Sequence, residues 1–71
     1  MTCRLLDVNA GARVRIVALG ERAEDSLARL GFIPGAEAVV LSSSRVGVTV
    51  RVGGVKYALC RALAAEVEVG T

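Results

Sequence analysis

The chain has 71 residues, 54% of them hydrophobic and 23% charged, with two cysteines and one proline, a size near the lower limit for one self-sufficient domain. Its 9 Lys+Arg against 7 Asp+Glu leave a formal charge of +2, too small and too evenly spread to dictate an acidic polymer as partner. No histidine is present, which removes the commonest general base and metal ligand, and ordering the chain costs roughly 1.5 kcal/mol per residue, which leaves little for an enzymatic pocket.

In chain order, Met1 to Leu6 holds one arginine and no apolar run of the ~7 residues that a secretory leader needs. The expected location is therefore cytoplasmic, with reduced thiols. Cys3 and Cys60 form no C-x-x-C pair; a disulfide between them is open on counting alone, and they are read as two small apolar side chains. Leu5, Leu6 and Val8 are expected to cover one end of the core, with a bend at Asn9-Ala10-Gly11. From Arg13 to Leu19 the chain alternates, with Val14, Ile16 and Ala18 on one face and Arg13 and Arg15 on the other, which reads as a first strand.

From Glu21 to Leu30 the period changes. Ala23, Leu27 and Leu30 fall at i, i+4 and i+7, the stripe of one short helix, and its acidic residues come early, where the helix dipole favours them. Gly31 stands where a left-handed residue closes a helix, Phe32 is placed to fold back onto the last turn, and Pro34 prevents continuation. Pro34-Gly35 is a turn pair that delivers the chain into a second strand, Ala36 to about Ser42, with Ala38 and Val40 inward and Glu37, Val39 and Leu41 outward. After a polar loop, Val46 to Val52 and Val55 to Cys60 alternate across Gly53-Gly54, the spacing of a tight hairpin. Val48, Val50, Val52, Val55, Tyr57 and Leu59 form its apolar face. Arg61 to Ala65 suits one helical turn, and Glu66 to Val69 a last strand with Val67 and Val69 inward.

About five short strands with one short α-helix between the first two need a closed or nearly closed sheet, and a mainly β, small SH3-like barrel occupying residues 1–71 as one domain fits best. The block Leu27-Ala28-Arg29-Leu30-Gly31-Phe32-Ile33-Pro34-Gly35, preceded by Gly11-Ala12-Arg13-Val14-Arg15-Ile16 and followed by Ala58-Leu59-Cys60-Arg61, resembles the FeoA family. The resemblance runs from about Leu5 to Val69. It implies an SH3-like barrel and a small cytosolic component of bacterial ferrous iron transport, without catalysis, that associates with the cytosolic region of the membrane transporter FeoB. Where the family often has a Gly-Asp-Pro-like turn, this chain has Val46-Gly47-Val48-Thr49.

The expected partner surface is Arg29, Phe32 and Ile33 from the helix-turn block with Val39 and Leu41 from the outward stripe, serving docking to a larger protein or self-association. Gly31, Pro34, Gly35, Gly53 and Gly54 are turn residues. No catalytic residue, cofactor or metal ligand is expected: Glu66 and Glu68 are a weak pair of hard ligands on an outward face, and Asp7 and Glu21 have no evident companion. Two alternatives come from other classes. One is a regulatory domain like the SH3-like domains of iron-dependent transcription repressors. The other is an RNA-binding barrel using Arg13, Arg15, Arg51 and Lys56, against which stand the scarcity of aromatics and the charge of +2; nucleic acid is therefore not the expected partner, nor is membrane insertion.

Overall fold

A computed structural model of the chain describes residues 2–70. Six strands and four short helical segments are the elements of the described residues. The strands are β1 (Thr2–Arg4), β2 (Arg13–Leu19), β3 (Glu37–Ser43), β4 (Gly47–Val52), β5 (Val55–Cys60) and β6 (Val67–Gly70); α1 (Glu21–Leu27) runs on into a 3-10 turn at Ala28–Leu30, and α2 is Arg61–Ala64. All pairings are antiparallel and the strand order is β1-β6-β2-β3-β4-β5. The result is the SH3-like barrel read from the alternation, with one strand more than expected. Among the described residues no helix is long and apolar enough to cross a membrane.

The additional strand is β1, which pairs with β6 through Thr2↔Gly70, Cys3↔Val69 and Arg4↔Glu68. All its residues are exposed, so no apolar alternation announces it, and its place is fixed by the neighbour it pairs with. Strand pairing leaves β1 and β5 as the two ends of the sheet. The gap between them is filled by the 3-10 turn Leu5–Asp7, which touches β4, β6 and α2 and buries Leu5. Leu5 and Val8 thus cap the core as expected, with Leu6 half-buried beside them.

Two bulges coil the sheet. The register shifts between Ile16 and Ala18 on β2 and between Val40 and Ser42 on β3, and such an inserted residue bends a strand and increases its twist. Val17 and Leu41 are the residues left over. The inward alternation then holds: Val14, Ile16, Ala38, Val40, Val48, Val50, Val52, Leu59, Val67 and Val69 are all buried. Four apolar residues are displaced from the expected pattern: Ala18, expected inward, is half-buried and set opposite the exposed Glu68 by the β2 bulge, and three others lie outside the core. Val46 precedes β4 and is 84% exposed, Val55 lies beyond the core at the tip of the β4–β5 hairpin, and Leu30 is turned out of the helical stripe. Cys3 and Cys60 are free and exposed, not buried small apolar residues: both lie on the outer strands, Cys3 on the all-exposed β1 and Cys60 on β5 at a position opposite in face to the buried Leu59.

Two glycines carry constraints that no other residue meets. Gly31 has φ = 100°, the left-handed region that costs an L-residue energy. Gly47 is needed for space: a Cβ there would land on the carbonyl oxygen of Leu59, in the ladder where Gly47 faces Cys60. Gly31→Ala is expected to lose about 1 kcal/mol of stability, and Gly47→Ala more, about 2 kcal/mol or above, because backbone must move to admit the methyl group. Urea denaturation checks both, with Val46→Ala, at a solvated position, expected to stay within about 0.5 kcal/mol of the parent.

Candidate functional groove

The helix-turn block builds the site. α1 closes at Gly31 by two backbone bonds: the N–H of Phe32 donates to the carbonyl of Leu27 at 3.2 Å, and that of Gly31 to the carbonyl of Ala28 at 3.2 Å. This paired six-to-one and five-to-two pattern is the Schellman motif, which brings the residue after the left-handed glycine against the helix's last turn. Phe32 is fully buried in the core with Leu27. It occupies the place that helical periodicity assigns to Leu30, and Leu30 is left 45% exposed.

The next turn fixes Ile33. Its N–H donates to the carbonyl of Gly31 at 2.9 Å and its carbonyl accepts from the N–H of Ala36 at 3.0 Å. With Pro34 at the second position and Gly35 (φ = 93°) at the third, this is a type II turn. The N–H of Gly35 donates to the carbonyl of Ile16 at 2.8 Å, which moors the turn to β2. Ile33 is held by backbone on both sides and is 51% exposed.

Opposite stands the hairpin tip, where Gly53 (φ = 60°) and Gly54 (φ = 80°) return the chain and Val52 faces Val55. Between turn and hairpin opens a groove of about 590 Å³, walled by Leu30 and Ile33 on one side and Val55 on the other, with Tyr57 and Val39 along it and Glu37 and Arg51 among its polar lining. Tyr57 ties the walls together. Its ring meets that of Phe32 edge to face at 5.1 Å and 66°, and its hydroxyl donates to the carbonyl of Leu30 at 3.2 Å.

The expected partner residues are therefore divided. Ile33 and Val39 line the groove. Phe32 is removed from the surface altogether, since the Schellman turn places it in the core. Arg29 is exposed on the 3-10 turn but outside the groove, and Leu41, half-buried at the β3 bulge, is also outside it, because the bulge interrupts the outward stripe after Val39. Sequence reading did not select Leu30, Val55 or Tyr57, and it placed Arg51 only in the basic set of the nucleic-acid alternative. The position of Leu30 before a left-handed glycine and of Val55 after a two-glycine hairpin were the available signals. Among the described residues no three His, Cys, Asp or Glu side chains come together.

Tyr57→Phe removes the bond to Leu30 and keeps the ring on Phe32; it is expected to lose about 0.5–1 kcal/mol of stability in urea denaturation, with faster hydrogen exchange at the 3-10 turn.

A family model described as FeoA domain matches residues 3–70 of the chain. A crystal structure of an iron uptake regulatory protein (FeoA) superposes with a TM-score of 0.87 at 33% identity, covering 97% of this chain and 96% of the other. Iron(II) transport protein A from Clostridium thermocellum superposes with a TM-score of 0.80 at 26% identity, over 94% of this chain and 44% of that one. A manganese-dependent transcriptional repressor shares the fold, with a TM-score of 0.87 at 14% identity over 96% of this chain and 40% of the repressor. No curated protein sequence matches the chain.

Proposed function

The chain belongs to the FeoA family, and from that premise we propose that it is a non-enzymatic, cytoplasmic accessory of ferrous iron uptake that docks through its groove on the transporter FeoB and modulates it. One observation carries the reading. Five large apolar side chains among the described residues are substantially exposed: Val17, Leu30, Ile33, Val46 and Val55. Three of these, Leu30, Ile33 and Val55, converge on the one groove. Scattered apolar residues on a surface need no explanation, but a cluster rimmed by polar groups is the usual mark of an interface.

The groove is also prepared for binding. Ile33 is fixed by two backbone hydrogen bonds and the Leu30 carbonyl is bonded to Tyr57, so little ordering is left for a partner to impose. Its position between a turn and a hairpin, lined by Leu30, Ile33 and Val55, suits apolar side chains presented by a segment of a larger protein. A regulatory effect on FeoB follows when one conformation of the transporter presents that segment better than another, since a ligand shifts an equilibrium only by its differential affinity.

The test is a pull-down of purified protein with detergent-solubilised FeoB of the same cell, using variants whose fold is confirmed by circular dichroism. Ile33→Asp is expected to weaken capture at least tenfold, equivalent to about 1.4 kcal/mol, whereas Val46→Asp leaves it unchanged. Capture lost equally in both variants, or absent with the parent protein, contradicts docking through the groove.

A further inference from the structure

Strand pairing gathers charges that lie far apart in the sequence. Arg13 on β2 faces Val39 on β3, Val39 faces Arg51 on β4, and Arg51 faces Lys56 on β5. These four residues form one row across the outward side of the sheet, with neighbours about 5 Å apart. Arg15, two residues along β2 on the same side, donates a guanidinium N–H to the carbonyl of Gly35 at 3.0 Å. The carboxylate on this side of β2–β5 is Glu37, 3.8 Å from the Arg13 guanidinium. Four cations against one carboxylate concentrate positive charge that the whole-chain value of +2 conceals.

The row and the groove meet. Val39 is half-buried in the centre of the row and lines the groove, and Arg51 belongs to both. We propose that this combined surface takes an acidic protein segment, with its apolar side chains in the groove and its carboxylates along Arg13, Arg51 and Lys56. The inference rests on the docking reading and adds the chemistry of what docks. Charge complementarity selects the acidic partner, and the apolar walls select a protein over a nucleic acid. Of the two aromatics, Phe32 is buried and Tyr57 alone lines the groove, which is too few rings for the stacking platform that a single-stranded nucleic acid uses.

The experiment combines the same FeoB pull-down with an NMR titration of the full chain by two probes, a short peptide alternating leucine with aspartate or glutamate, and an oligouridylate. The variants are Arg51→Glu with Lys56→Glu, and, as a control of equal charge change elsewhere, Arg22→Glu with Arg45→Glu. The expected result is a peptide-induced shift confined to the row and the groove, lost as salt rises from about 0.05 to about 0.5 M. Transporter capture falls at least tenfold in the first variant and less than threefold in the control. If the parent captures FeoB and both variants do so equally, docking stands and the acidic-segment inference is overturned. If FeoB is not captured but the peptide shifts the row, the acidic segment stands and belongs to another protein. A row that no peptide shifts, together with unaffected capture or none, overturns the inference, as does an oligouridylate that shifts the row more than the peptide does.

Discussion

The burial of Phe32 organises the molecule. A chain with one phenylalanine and one tyrosine has few large side chains with which to fill a core, and this one is placed there by a backbone device, the left-handed Gly31 that ends the helix. Because Phe32 returns beneath α1, Leu30 before it and Ile33 after it are turned outward. Tyr57 then packs on Phe32 and bonds to the carbonyl of Leu30. The same turn that completes the core thus builds one wall of the groove and couples it to the hairpin opposite. Any change that releases Phe32 costs core packing, on the order of 3–5 kcal/mol for loss of a buried aromatic, and collapses the groove with it.

Exposure at the groove has a thermodynamic meaning. Full burial of a leucine, isoleucine or valine contributes about 1.5–3 kcal/mol, and Leu30, Ile33 and Val55 each forgo about half of it. A small domain has little stability to give up in this way, and the flanking positions show that the fold is able to bury apolar residues elsewhere: Leu27, Val52 and Leu59 are all within the core. Membership of a family of accessory transport proteins and a preformed apolar groove bordered by a cationic row are consistent with one another. The row and the groove are products of different features, cross-strand register in one case and a helix-terminating turn in the other.

Much of the fold was legible because its signals are local. Gly53-Gly54 between alternating runs specified the hairpin and its Val52↔Val55 register; Gly31 and Pro34 specified the end of the helix, and alternation assigned Val14, Ile16, Val48, Val50, Val67 and Val69 to the core. The rest depended on tertiary information. Thr2–Arg4 has no apolar face, so only the presence of β6 makes it a strand. Leu30 satisfies the helical period but is displaced by Phe32. For the site, Ile33 and Val39 were legible as outward apolar residues, whereas Phe32 was misplaced because periodicity does not show which of Leu30 and Phe32 enters the core. Arg13, Arg15, Arg51 and Lys56 were legible as a basic set on outward strand faces that a closed barrel gathers, whereas their alignment in one row through Val39, beside the groove, required strand order and register.

The most direct measurement is a methyl-resolved NMR spectrum of the full chain with and without the cytosolic region of FeoB. The five large apolar residues exposed among the described residues supply the internal comparison. The account predicts that Leu30, Ile33 and Val55 methyl signals shift or broaden on addition of the partner while those of Val17 and Val46 do not. Perturbation at Val17 or Val46 with the three groove residues unchanged would contradict it, and would place the contact on another face of the barrel.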